Sequence, residues 1–353
     1  MNKRFLVLAV MGAFSEVAYA QTSVNIYGIV DSGIVHESGG AAGSVNKLTS
    51  GIESGSRLGF RGTEDLGSGL SAIFVLETGF QADTGALGQG GLLFGRQAYV
   101  GLNGSFGAMT MGRQYTPNYI TMTTVGDPFA AGLAGVFSNV MATSGARMNN
   151  AVKYVSPKFN GFNGELVYGF GEVAGTTAAS RAIGGAIAYA SGLLNVRLAY
   201  HNRNNDTDTV KGLAAARNTV LAANYDFGMI KAFAAYGINQ GPNSSPLSNV
   251  NAYGSAVAPK SSTDSRDFLL GATIPIGVGK VIVSYIHKDD KTRFNQDATQ
   301  LALGYTYSLS KRTDLYTSYA RINNKNGAGY TVGSAIETGS GNSAVNLGVR
   351  HTF

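Results

Sequence analysis

No cysteine occurs in the 353 residues, so a disulfide framework is excluded; such a framework is permitted outside the cytoplasm but not required there. Charge is scarce: Asp, Glu, Lys and Arg make up 14% of the chain, against roughly 25% in soluble domains. Long apolar runs are missing as well. Beyond the N-terminus no stretch approaches the roughly 18 consecutive apolar residues of a membrane-spanning helix, which excludes a helical membrane protein. Tryptophan is absent and proline is rare, with seven residues. Against these absences stand 49 glycines, 18 tyrosines and 17 phenylalanines. The glycines lie inside segments of alternating apolar and polar residues without a simple repeat, which argues against a low-complexity chain.

The first twenty residues, "MNKRFLVLAVMGAFSEVAYA", read as a secretory signal peptide. Lys3 and Arg4 supply the positive start, Phe5 to Phe14 the short apolar region, and Ala18-Tyr19-Ala20 the small residues before a cleavage point at Gln21. The expected domain division is therefore 1–20 signal peptide and 21–353 a single folded unit.

Period two dominates that unit. "QLALGYTYSLS" puts Leu301, Leu303, Tyr305, Tyr307 and Leu309 on one face and Gln300, Ala302, Gly304, Thr306 and Ser308 on the other. "LLNVRLAYHN" and the final "AVNLGVRHTF" repeat the pattern. Successive strand side chains point to opposite faces, so each segment is an amphipathic strand. The connections alternate in length. "DLGSG" (65–69), "NGSFG" (103–107), "DFGMI" (226–230) and "SLSKR" (308–312) are tight turns, and the glycosylation-like "NGS" inside the second is read as turn chemistry. The segments near 36–54, 83–91, 116–147, 202–215, 239–264 and 324–342 are long and polar. This is an up-and-down meander with short turns at one end and long loops at the other, about 16 strands in all and without an internal boundary.

The stretch "SRLGFRG" (56–62) shows what such strands are for. Leu58 and Phe60 take one face; Arg57 and Arg61 take the other. A closed barrel satisfies its backbone groups between strands and can sit in lipid, with leucine and phenylalanine toward hydrocarbon and arginine toward a water-filled lumen. A soluble β-sandwich would bury one face and leaves the long-short alternation unexplained. The Tyr and Phe surplus fits aromatic girdles at two membrane interfaces.

Catalytic and ligand motifs are lacking. His36, His201, His287 and His351 have no metal-like spacing, no nucleophile elbow is present, and "LGQGG" is not followed by a helix, so no catalytic residue, metal or cofactor is expected. The formal charge of +6 comes from basic residues interleaved with apolar ones, so no nucleic-acid partner is expected either. The informative residues are arginines: Arg57 and Arg61 facing inward by parity, Arg96 opening a strand in "FGRQAYVGL", Arg113 in "GRQYTP" taken as a further lumen base, and Arg147 ending the longest connection. Glu77, a lone acid in the apolar "FVLETGF", is expected to face inward, and Asp127 is the single acid of the connection 116–147. An excess of inward arginines implies a preference for anions, strongest where the lumen is narrow.

"SRLGFRGTEDLGSGLSAIFVLETGF", "RQAYVGL" and "GRQYTP", with Phe353 ending an alternating strand, resemble the general diffusion porins of Gram-negative outer membranes, in the β-proteobacterial branch. The resemblance covers the whole mature chain. It implies an all-β, 16-stranded antiparallel transmembrane barrel with short periplasmic turns, long extracellular loops and a third loop folded into the pore. It further implies a homotrimer set among outer-membrane lipid and lipopolysaccharide, and a water-filled passage for ions and small solutes. Arg57, Arg96 and Arg147 match the family's arginine cluster on the pore wall, Glu77 an acid held among them, and Asp127 a constriction-loop acid. Phe353 matches the C-terminal signal read by the barrel-assembly machinery, although His351 stands where an aromatic residue is frequent. The competing readings are a substrate-specific channel, a receptor or adhesin barrel, and an outer-membrane enzyme. The last would need a nucleophile and base at the rim, which the scattered histidines do not supply.

Overall fold

The computed structural model describes residues 23–247, 249, 250 and 252–353; the expected signal peptide lies outside them. Seventeen strands follow one another: β1 (Ser23–Gly40), β2 (Gly43–Ser50), β3 (Arg57–Gly67), β4 (Leu70–Gly79), β5 (Gln97–Gly104), β6 (Gly107–Tyr115), β7 (Arg147–Val155), β8 (Phe162–Gly169), β9 (Ala182–Ser191), β10 (Leu194–Arg203), β11 (Ala216–Asp226), β12 (Lys231–Ser245), β13 (Ser262–Ile276), β14 (Gly279–Asp290), β15 (Ala298–Ser308), β16 (Thr313–Asn324) and β17 (Ser343–Thr352). Successive strands pair antiparallel, except that β2 and β3 both pair with β1, and β17 pairs with β1 to close the barrel. Seventeen strands make sixteen staves, because β2 and β3 are two halves of one. Ser32 of β1 pairs with Ser50, and Ile29 of β1 pairs with Arg57.

Residues 51–56 leave the sheet between these halves. The Asp31 carboxylate accepts the backbone N–H groups of Ile52, Glu53 (2.9 Å) and Ser54 (2.6 Å), and the Tyr316 hydroxyl donates to it as well. Three backbone donors on one carboxylate hold the excursion, and the chain re-enters the sheet at Arg57.

Face assignment follows the alternation. Leu301 and Leu303 are 61% and 54% exposed, while Gln300 and Ala302, which alternate with them, are buried. Along β3, Arg57, Gly59 and Arg61 pair with Ile29, Tyr27 and Asn25, on the inner face opposite to Leu58 and Phe60. An outer surface of Leu, Ile, Val and Tyr with every strand edge paired is stable in hydrocarbon. No helix among the described residues is long and apolar enough to cross a membrane; the strands make the crossing.

The tight turns fall at one end and the long loops at the other. In "DLGSG", Gly67 and Gly69 take φ of +87° and +75°, a region open to glycine at no steric cost. One expected loop is mostly sheet: in 36–54, β1 continues to Gly40 and β2 returns from Gly43. Its serines and glycines disguised a hairpin whose inward residues still alternate, as Val35 and Glu37 face Lys47 and Val45 across the pair. The expected connection 239–264 shortens to 246–261, and connections at 170–181 and 291–297 had no clear signal. At the closing seam, Phe353 exchanges two backbone hydrogen bonds of 3.1 Å with Gly28. Its ring covers that glycine so closely that a Cβ there would stand 2.3 Å from Phe353 Cζ.

Candidate functional site

The connection 116–146, third of the long ones, folds into the lumen. It opens with a short helix, α1 (Pro117–Thr121), whose N-cap Thr116 accepts the Tyr119 N–H at 3.3 Å. The far wall of the barrel holds it. Arg197 of β10 donates to Thr121 Oγ1 (2.9 Å), Asn224 of β11 to the Val125 carbonyl (2.9 Å), and Gln300 of β15 to the Gly135 carbonyl (3.0 Å). In return the Ala142 N–H donates to Asp267 of β13 and the Ala134 N–H to Ser318 of β16, each at 3.0 Å. Between these anchors Val125, Phe137 and Met141 pack on inward Val220, Leu269 and Ile286. Apolar residues therefore occur on part of the inner face because that part is covered by loop.

Asp127 is placed differently from expectation. Its carboxylate is buried inside the loop, where Oδ1 accepts from Phe129 N–H (3.0 Å) and Oδ2 from Ala131 (3.0 Å) and Phe137 (3.3 Å). Burial outweighs these three donors and pushes its pKa up to about 7. The residue shapes the loop and does not line the passage. Left-handed backbone at Ala130, Ala131 and Leu133, with φ of +50° to +63°, marks the tight path wound around this carboxylate.

Opposite the loop stands a basic wall. Arg57 begins β3 and donates Nε to the Gly55 carbonyl at 2.9 Å. Arg96, just before β5, donates Nε to Glu77 Oε1 (2.8 Å) and Nη2 to the Tyr115 hydroxyl (2.8 Å). Arg147 begins β7; it donates Nε to the Arg96 carbonyl (2.8 Å) and Nη2 to the same Tyr115 hydroxyl (3.2 Å). Its guanidinium also lies 4.7 Å from the centre of the Tyr115 ring, which stacks on Tyr119 at 5.2 Å. The second Glu77 oxygen takes the Tyr27 hydroxyl at 3.0 Å. The fold thus brings Arg57, Arg96, Arg147 and Glu77 together, and adds Tyr27, Tyr115 and Tyr119, which sequence reasoning passed over. Tyr115 did lie inside the quoted "GRQYTP", but a tyrosine carries no sign of its partners.

A cavity of about 890 Å³ separates wall and loop, lined by Arg57, Arg96 and Arg147 on one side and by residues 137–146 on the other. Glu53 and Glu337 also border it. Each is already engaged, Glu53 by Arg350 at 3.2 Å and Glu337 by Lys47 at 2.6 Å.

Two further expected bases stand apart. Arg61 is on the inner face but nearer the short-turn end, 5.4 Å from the Tyr27 ring centre. Arg113 is not a lumen residue. It pairs with Ala98 and shares the outward parity of Met109 and Met111, and it donates to the Gly95 carbonyl (2.8 Å) and to Asn149. The register shift that lets Tyr115 reach the lumen falls between Gly112 and Gln114, so the outward set runs unbroken up to Arg113. Among the described residues no group of three His, Asp or Glu side chains is arranged to hold a metal.

A family model described as Gram-negative porin matches residues 7–327. Outer membrane porin protein 32 of Delftia acidovorans is 35% identical over 375 aligned positions that span all of both chains. An outer membrane porin protein of Bordetella pertussis is 33% identical, again across all of both. The solved structure of an anion-selective porin from Comamonas acidovorans superposes with a TM-score of 0.75 at 32% identity, covering 94% of this chain and 100% of that one. Match length, identity and barrel geometry agree: the chain belongs to the Gram-negative porin family and is an outer-membrane channel protein.

Proposed function

We propose that this porin is an anion-preferring passive channel, with the wall of Arg57, Arg96 and Arg147 as its selectivity element. One observation carries the reading: three guanidinium groups face the cavity, while the loop across from them turns its single acid, Asp127, into its own backbone. Of the acids nearby, Glu77 is tied to Arg96, Glu53 to Arg350 and Glu337 to Lys47, so the uncompensated charge at the narrow level is positive. Charge at a constriction sets ion preference, and its reach is about 8 Å at physiological salt. A relative described as anion-selective, similar over its whole length, supports the same direction. The working unit we take to be a homotrimer, as the resemblance implies, and the leader 1–20 to be removed at Gln21, as its charged start, apolar stretch and small residues imply.

The test is the reversal potential of single channels under a potassium chloride gradient, for the native protein and for Arg57→Ser combined with Arg96→Ser. Chloride preference that falls in the double variant and weakens as salt rises is the expected result. Cation preference in the native channel, or a preference indifferent to both substitutions, would overturn it.

A further inference from the structure

We propose that Lys47 is a specificity-determining residue of the channel, acting by holding an acid, Glu337, that a second inward loop presents to the cavity. The proposal rests on the reading that charge at this cavity sets ion preference.

The connection 325–342 does not stand clear of the barrel. Its residues 328–334 are all buried, and the turn that follows them reaches the cavity with Ile336, Glu337 and Thr338. Hydrogen bonds fix its course. The Val332 N–H donates to the Gly341 carbonyl (2.9 Å), the Gly333 N–H to Asn139 Oδ1 of the loop 116–146 (2.9 Å), and the Ala335 N–H to the Ile52 carbonyl (3.3 Å). That same carbonyl accepts the Leu133 N–H at 2.7 Å, so the segments 51–56, 116–146 and 325–342 meet at one buried residue. Gly55 shows how near the turn comes to the basic wall: a Cβ there would stand 2.9 Å from Arg96 Nη1 and 3.0 Å from Ile336 Cγ2.

Glu337 is thus an acid carried to the level of the arginines by a loop separate from that of Asp127. Both its oxygens are engaged by β2: Oε2 accepts from Lys47 Nζ at 2.6 Å and Oε1 from the Thr49 hydroxyl at 2.5 Å. Lys47 Nζ is also 2.6 Å from Glu37 Oε1, and Glu37 Oε2 accepts the N–H (2.9 Å) and the hydroxyl (2.6 Å) of Ser340. One ammonium therefore stands between two carboxylates, and the group as a whole carries a single negative charge. Glu37 is buried, whereas Glu337 borders the cavity and Lys47 does not. Without the ammonium the group carries a second negative charge, and Glu337 either faces the cavity bare or turns to an arginine across it. Both outcomes lower the positive potential there. Lys47 makes none of the backbone contacts that hold the loop, so the loop keeps its course without it.

Reversal potentials of single channels under a potassium chloride gradient test this for Lys47→Gln, Glu337→Gln, the two combined, and Lys47→Arg, each from protein whose barrel resists heat before electrophoresis. Lys47→Gln should lower the chloride-to-potassium permeability ratio about twofold, the effect of one unit charge within a screening length of the ion path. Glu337→Gln should raise the ratio by a like factor. The combined variant, with the native net charge, should return to the native ratio, and Lys47→Arg should match it throughout. A lysine that served only the loop's structure would not give this return, because Glu337→Gln removes a further contact from the loop. Glu337→Gln reads the same charge if Lys47→Gln folds poorly. An unchanged or opposite ratio in either single variant, or a combined variant no better than Lys47→Gln, overturns the proposal. Where the channel with Arg57→Ser and Arg96→Ser loses its preference and Lys47→Gln does not, the proposal alone falls; where neither changes, the reading beneath it falls too.

Discussion

Glu77 and Arg96 form the innermost ion pair of the basic wall, with Nε 2.8 Å from Oε1 and both side chains almost fully buried. Glu77 lies on β4, and Arg96 just ahead of β5, so the pair links neighbouring staves across the connection 80–96. Glu77→Gln keeps the size and the Tyr27 contact but removes a negative charge from the middle of three arginines. Chloride preference should rise above that of the native channel, with noisier current because Arg96 loses its charged anchor. Truncating one partner of a buried pair costs about 3–5 kcal/mol, enough to loosen the wall locally. Reversal potential and open-channel noise from the same recordings check it; unchanged selectivity would mean that Glu77 charge is not felt in the lumen.

Tyr115 deserves a separate test because Arg96 and Arg147 both donate to its hydroxyl. Two like charges are drawn to one oxygen, and the ring beneath adds a cation–π contact. Tyr115→Phe retains the ring and the stack on Tyr119 but deletes the shared acceptor. Hydrogen bonds to charged groups contribute roughly 1.5–3 kcal/mol each. The expected outcome is increased current noise with anion preference kept, since no charge is lost. Loss of preference without added noise would show that the hydroxyl acts by some route other than fixing the two guanidinium groups.

The strands and their faces could be read from the sequence because period two is geometry: residues 300–309 alternate whether or not anything packs on them. The inward arginines of "SRLGFRG" follow from the same parity, and the inward Glu77 from being a lone acid in an apolar strand. Loop interiors have no period, so nothing in "VGDPFAAGLAG" said that Asp127 would turn back onto its own backbone. Arg113, expected in the lumen, shares the outward parity of Met109 and Met111. Parity also cannot separate an inner face wet by solvent from one covered by loop. Val220, Leu269 and Ile286 make sense only once Val125, Phe137 and Met141 lie on them.

The outer face offers a stability prediction. Leu303→Arg places a charge on an exposed, outward position of β15, flanked by Leu301 and Tyr319. At mid-bilayer this costs roughly 2–4 kcal/mol. The fraction of barrel resisting heat before electrophoresis should fall, while Leu303→Met, which keeps apolar volume, should match the native protein. Equal folding of both variants would contradict the outward assignment.

Asp127 gives the loop a pH dependence whose sign is fixed by its burial. In the docked loop its pKa stands at about 7, against 3.8 for the ordinary group. Between those values the docked loop holds a proton that a released loop gives up. Linkage then requires docking to weaken as pH rises from about 4 to about 7 and to level off above. The three backbone N–H donors resist this by favouring the carboxylate, but desolvation is the larger effect. Brief current excursions from loop movement should be rarer at pH 5 than at pH 8. Asp127→Asn cannot ionise; it keeps one acceptor oxygen and should show excursions that do not vary with pH over this range. Single-channel recording at matched ionic strength reads both proteins. Excursions more frequent in acid, or a pH dependence that persists in the asparagine variant, would place the titrating group elsewhere.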